Sequence, residues 1–244
     1  LALADFNGTG EKLAAMAVSN YYLDYRQQTA LLDPQSGRLD WVASVPVYIT
    51  DRSIPSAISN LNNDGTTQLL YARNVSGGNS TPGIYDFFSE SIVWSAAELD
   101  SYVAAVTQGE LGSSATKLVV LTTASGEVLA YDTSSDQPLW QFASGGGKGL
   151  EFTDLDGDGQ REILSYSDYA VNLIAAEGTT ASMTRSFSPT DDIPQETYEH
   201  YFPDLFWSTP RIKRVTTSDL NGDGEQEILI AMSELIQGGD SGIV

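Results

Sequence analysis

Cysteine is absent from the 244 residues. No disulfide staples the fold, no thiolate zinc site exists, and cysteine usage says nothing about the compartment. Histidine occurs once, at His200, which excludes His clusters for zinc and leaves one candidate for any Ser-His-Asp triad. Positive charge is scarce: 12 Lys and Arg stand against 33 Asp and Glu, for a net charge of −21. Such a chain repels nucleic acid and anionic membrane surfaces. No apolar run approaches the roughly 20 residues of a membrane span, and no signal-peptide pattern is present. The chain opens on Leu1 rather than Met, as a processed chain or a piece of a longer one does. Its length suits one large all-β domain or two small ones.

The acid is patterned. In Glu151–Ser167, EFTDLDGDGQREILSYS, Asp154, Asp156 and Asp158 occupy alternate positions, with Gly157 and Gly159 between and after them. A hard divalent cation such as calcium takes six to eight oxygens, and a tight turn with acidic residues at positions 1, 3 and 5 converges them on one point. Gly159 at position 6 permits the bend, Gln160 offers a backbone carbonyl, and Glu162 at position 9 closes the cage. The text recurs at Asp219, Asn221, Asp223, Glu225 and Glu227. An EF-hand needs a bidentate Glu at position 12 and helices on both sides. Ser165 and Ile230 stand there instead, and the flanks are too short and apolar for helices. Calcium repeats of the thrombospondin type carry cysteines and are excluded.

Aligned on these loops, the chain repeats at Asp5, Asn60, Thr107, Asp154 and Asp219, at separations of 55, 47, 47 and 65 residues. That period fits a four-stranded propeller blade. Asp5, Asn7 and Thr9, and Asn60, Asn62 and Asp64, are weaker ligand sets, because Leu13 and Gln68 replace the closing carboxylate. The Thr107 copy has no carboxylate at positions 1, 3 or 5 and is expected to bind nothing. A second pattern, D-x-x-S-x-x-x-x-W, runs in step at Asp33–Trp41, Asp86–Trp94 and Asp132–Trp140, and decays to Glu177, Thr180 and Arg185. Its Asp and Ser are expected to make the turn by bonding nearby amides.

The loops resemble the FG-GAP (VCBS) repeat of α-integrin-like β-propellers, D-x-[DN]-x-D-G-x-x-[DE]. The second pattern resembles the tryptophan-docking turn of quinoprotein-type propellers, where the Trp ends a strand and packs between blades. The resemblance covers Leu1 to about Ala231. It implies an all-β propeller over 1–244, with blades near 1–45, 46–98, 99–145, 146–210 and a partial fifth at 211–244. It further implies at least two structural Ca²⁺ sites, blade-packing roles for Trp41, Trp94 and Trp140, and ring closure by residues beyond this chain.

One stretch breaks the period. Ser188–Pro210 holds Tyr198, His200, Tyr201, Phe202, Phe206 and Trp207 among acids. Long loops in compact domains are often functional, so Tyr198, His200, Tyr201 and Trp207 are the candidates for ligand recognition, against the alternative of a buried plug. Propellers of this kind are similar to integrin heads, surface adhesins, lectins and a few polysaccharide lyases. The expectation is a secreted, cell-surface or periplasmic binding module for a protein or glycan, with no nucleic-acid partner. The alternatives are a carbohydrate-active or quinoprotein enzyme, or a subunit of a surface assembly. Against the quinoprotein stands the missing cysteine pair. Against the lyase stands the lack of a basic residue paired with a substrate carboxylate.

Overall fold

Short runs of β-branched and aromatic residues separated by polar turns fold as antiparallel meanders. The computed structural model describes residues 2–5, 12–19, 26–48, 55–59, 67–74, 78–86, 89–111, 117–145, 147–177, 180–188, 192, 211–236 and 239–243. The first sheet holds β1 (Ala2–Ala4), β2 (Leu13–Ser19), β3 (Arg26–Leu32) and β4 (Leu39–Tyr48). The second holds β5 (Pro55–Ser59), β6 (Gln68–Asn74), β7 (Ser80–Asp86) and β8 (Ser91–Ser95). The third holds β9 (Val103–Glu110), β10 (Lys117–Thr123), β11 (Glu127–Tyr131) and β12 (Trp140–Ala143). The fourth holds β13 (Gly149–Thr153), β14 (Glu162–Tyr166), β15 (Val171–Glu177) and β16 (Thr180–Phe187). In the fifth, β17 (Arg211–Ser218), β18 (Glu227–Ile236) and β19 (Gly239–Ile243) are described. No helix among the described residues is long and apolar enough to cross a membrane.

The sheets stack because their strands are apolar on both faces. Along β10, Val119 and Leu121 face the second sheet, where they meet Leu70, Ile84 and Trp94. Leu118 and Val120 face the fourth, where they meet Ile163 and Ile174. The strand period of two thus sends alternate side chains into two different cores. First strands touch first strands, β1 on β5, β5 on β9, β9 on β13 and β13 on β17, so they line the inner side of the array. Connections after first and third strands share one end of the sheets, the loop end. Connections after second strands and the crossings between sheets share the other, the crossing end.

Third-to-fourth strand turns are built as expected. The Gln35 amide donates to Asp33 Oδ1 at 2.8 Å and the Ser36 hydroxyl to Oδ2 at 2.5 Å, which holds Asp33 below the ordinary carboxylate range. The Ser89 amide donates to Asp86 at 2.7 Å and the Ser134 amide to Asp132 at 3.0 Å. Trp94 is buried, and its Nε1 donates to the Ser135 carbonyl at 2.8 Å. That oxygen belongs to the corresponding turn of the next sheet, so the indole bolts two sheets together. Trp140 is equally buried, yet its Nε1 finds no partner; the next turn is the one where the D-x-x-S pattern has decayed. The side chain of Trp41 lies outside the described residues.

Two expectations are corrected. The tryptophans do not all end their strands: Trp140 opens β12 and Trp41 is the third residue of β4, while Trp94 stands last but one in β8. At Trp140 the turn consumes the residues before the indole, and the outer strand pairs onward from it. Thr107 does not begin a loop. It lies within β9 and pairs with Val120, because nothing from Thr107 to Glu110 obliges the chain to turn, and the strand runs on to Glu110.

Asn74, in a glycosylation triplet, is fully buried. Its Nδ2 donates to the Val103 carbonyl at 3.2 Å and its Oδ1 accepts from Ser80 at 2.5 Å. It ties the second sheet to the third and is closed to a glycosyl donor in the folded chain.

Tyr131 packs edge-on against Trp94, with centroids 5.5 Å apart at 65°. Its hydroxyl is buried without a hydrogen-bond partner, and burial pushes its pKa up to about 12. A buried unsatisfied hydroxyl costs about 1–3 kcal/mol, so Tyr131→Phe is expected to raise the melting temperature at neutral pH. The phenol is harder to ionise folded than unfolded. Its contribution is therefore intact below about pH 10 and lost as pH rises towards about 12, and Tyr131→Phe removes that alkaline loss. A variant melting below the parent at pH 7 contradicts this account.

Candidate functional site

Each acidic loop joins a first strand to a second at the loop end. The Asp154 loop runs from β13 to β14, and its two turns of left-handed backbone fall on Gly157 (φ 72°) and Gly159 (φ 85°). Glycine alone takes this conformation at little cost. Asp154 Oδ2 accepts the Gly159 amide at 3.0 Å, Asp156 Oδ1 the Asp158 amide at 3.2 Å, and Asp158 Oδ1 the Gln160 amide at 2.7 Å. Glu162 reaches back from β14 to take the Leu155 amide at 3.0 Å. These bonds leave carboxylate oxygens of Asp154, Asp156 and Glu162 within 4.8 Å of one another. Asp154 Oδ1 is buried with no hydrogen-bond partner. Burial, followed by the charges of Asp156, Asp158 and Asp154, pushes Glu162 above the usual carboxylate range, against the Leu155 amide. A converging, oxygen-only set with an orphaned buried acceptor fits calcium.

The Asp219 loop, from β17 to β18, is built differently. Both Asp219 oxygens accept amides, from Gly222 at 2.6 Å and Gly224 at 3.0 Å. Asn221 Oδ1 takes the Asp223 amide and Asp223 Oδ1 the Glu225 amide, both at 2.8 Å. Glu227 accepts the Leu220 amide and the Asn221 Nδ2, both at 2.8 Å. The Asn amide thus satisfies Glu227 internally, and Asp219, Asp223 and Glu227 do not form a three-carboxylate cluster like that of the Asp154 loop. Of the weaker loops, Asp5 is described and half-buried. Asn7, Thr9, Asn60, Asn62 and Asp64 lie outside the described residues, as do Tyr198, His200, Tyr201 and Trp207. The described strand ends that flank the segment carrying those four, Phe187 of β16 and Arg211 of β17, lie at the crossing end.

A charged junction at that end escaped the sequence reading. Lys148 Nζ donates to Asp168 Oδ1 at 2.6 Å and to the Ile212 carbonyl at 2.5 Å. Arg211 lies 3.8 Å from Asp168 Oδ2 and over the Tyr169 ring at 5.8 Å. The only signal in sequence is that Arg211, Lys213 and Arg214 crowd one strand of a chain poor in positive charge.

Known structures show what this arrangement of sheets is. The chain resembles the Dos1 propeller at TM-score 0.51 and 12% identity, over 99% of this chain and 52% of that one. It resembles the exotype rhamnogalacturonan lyase YesX at TM-score 0.52 and 11% identity, over 93% of this chain and 47% of that one. The fold is that of a β-propeller. At these identities the likeness carries the fold alone, and the chain spans about half the length of the propellers it matches. No protein-family model matches it, and no curated protein does. In this propeller the sheets are the blades, and the first strands are their inner strands.

Proposed function

We propose that the chain is a calcium-braced β-propeller of the FG-GAP (integrin-like) kind, acting outside the cytoplasm as a binding module for a protein or glycan. The observation that carries this reading is the convergence of Asp154, Asp156 and Glu162 within 4.8 Å around a buried, unpartnered oxygen. Bound calcium supplies charge compensation and coordination there. The chain's own residues do the rest: Gly157 and Gly159 set the bend, and Asp158 and Gln160 hold the rim. Millimolar extracellular calcium suits such a loop, as does a secreted, cell-surface or periplasmic location. Recognition is assigned to the 188–210 segment, which carries Tyr198, His200, Tyr201 and Trp207. Aromatics of this kind stack well and lose little entropy on binding.

The test replaces Ser188–Pro210 with a short Gly-Ser turn and reads binding on a glycan array and on immobilised matrix proteins, in calcium. Loss of binding with an unchanged melting temperature is the expected result. Unfolding of the shortened chain makes the segment a plug and removes its recognition role. The second reading, a carbohydrate-active enzyme, draws support from the fold likeness to a rhamnogalacturonan lyase. Release of new chain ends from a polysaccharide by the purified protein establishes that reading instead.

A further inference from the structure

We infer that the crossing-end junction between the fourth and fifth blades is a subsite for a sugar acid. Tyr169 takes the C–H face of a pyranose ring, and Arg211 takes its carboxylate. The inference rests on the binding-module reading and names the chemistry of one ligand unit.

Rigidity comes first. Tyr169 stands in the β14–β15 turn, where the Ser167 hydroxyl accepts the Tyr169 amide at 3.1 Å and the Ala170 amide at 3.0 Å. The Ser167 amide closes the turn on the Ala170 carbonyl at 2.8 Å, and the Ile212 amide ties it to the fifth blade through the Asp168 carbonyl, also at 2.8 Å. On this fixed turn Tyr169 is 47% exposed. The corresponding turn of the third blade, Ala124–Gly126, carries no aromatic. Arg211 stands over one side of this ring, 5.8 Å from its centroid, and Tyr and Arg are residue types enriched at recognition hot spots.

Charge comes next. Asp168 Oδ1 is committed to Lys148 at 2.6 Å. Its other oxygen sits 3.8 Å from Arg211, beyond hydrogen-bonding distance. Arg211, 39% exposed, therefore keeps donors for an outside acceptor, and a planar carboxylate matches its fork. Lys148 and Arg211 set two positive charges against the one carboxylate of Asp168. Among the described residues these charges leave the junction net positive, within a chain of net charge −21.

Size and charge density then choose the occupant. One ring and one guanidinium match one monosaccharide, far below the roughly 800 Å² per partner of a protein interface. The surrounding negative field repels a polymer with a charge at every unit, such as a nucleic acid. A glycan with carboxylates spaced by neutral sugars meets the cationic spot without that penalty.

The experiment is an NMR and calorimetric titration of the full chain, in calcium, with an oligosaccharide alternating uronate and neutral sugars. Its carboxyl-reduced counterpart and inorganic phosphate are the other arms. A dissociation constant on the order of 10⁻⁴ M is expected for the acidic oligosaccharide. Tyr169→Ala and Arg211→Gln should each weaken binding tenfold or more, and Arg211→Lys less. Arg38→Gln, in a loop-end turn of the first blade, should match the parent, and all four variants should melt as the parent does. Equal affinity for the carboxyl-reduced sugar, competition by phosphate as strong as by the sugar acid, unaltered binding in Tyr169→Ala and Arg211→Gln, or no binding by the parent each overturns the assignment. If array binding that depends on the 188–210 segment survives such a result, the binding-module reading stands and only the sugar-acid subsite falls.

Discussion

Replacing Trp94 with Ala destabilises the propeller by about 4 kcal/mol, within the usual range for emptying a large buried aromatic site. Three losses coincide. The second and third blades lose the indole from their shared core with Leu70, Val119 and Leu121. The Ser135 carbonyl loses its 2.8 Å donor. Tyr131 loses its edge-to-face partner, a contact worth roughly 0.5–1.5 kcal/mol. Trp140→Ala empties a comparable site between the third and fourth blades but breaks no hydrogen bond of its Nε1, so it costs less, about 3 kcal/mol. Trp94→Phe keeps a ring and loses the cross-blade hydrogen bond and some volume, about 1–2 kcal/mol. Urea unfolding of the three variants measures this order. A Trp94→Ala protein as stable as the parent removes the claim that the indole bolts adjacent blades.

Calcium removal is the second large effect. Carboxylate charges about 4 Å apart repel by roughly 4 kcal/mol per pair at an effective dielectric near 20, before solvent screening. In the Asp154 loop three carboxylates lie within 4.8 Å of one another, and burial with their mutual repulsion already disfavours the charged form of Glu162. A cation among them reverses that balance. At calcium a hundredfold above its dissociation constant, the gain by mass action is about 2.7 kcal/mol. Excess chelator should therefore lower the melting temperature by several degrees, and Asp156→Ala should abolish most of the difference. Calorimetric titration should show the Asp154 loop filling first. The Asp219 loop must first release Glu227 from Asn221 and Asp219 from its amides, so Asp223→Ala should cost less calcium-dependent stability. Magnesium should substitute poorly, because it demands a smaller, stricter octahedron and holds its waters. A parent protein that melts identically with and without chelator leaves the cluster a feature of the turn and ends the metal assignment.

The sequence by itself determined the local devices. Asp154-x-Asp156-x-Asp158-Gly159 specifies a tight turn between two strands, because glycine takes the left-handed bend and each aspartate caps an amide nearby in the chain. Asp33, Asp86 and Asp132 specify their turns for the same reason: both partners of each bond lie within a few residues. The repeat of these devices made the all-β, four-stranded plan legible. Tertiary structure alone decided whatever depends on partners far along the chain. Asp154 and Asp219 read alike as text, yet only one loop brings three carboxylates together, since Asn221 turns its amide onto Glu227. Trp94 and Trp140 fill the same place in the pattern, yet only Trp94 finds an acceptor in the next blade's turn. The Lys148, Asp168, Tyr169 and Arg211 junction was invisible for the same reason. Its members lie up to 63 residues apart and meet only because antiparallel strands and inter-blade crossings return them to one end of the propeller. Local hydrogen bonding is written in neighbouring residues; charge clusters between blades are written by the stacking.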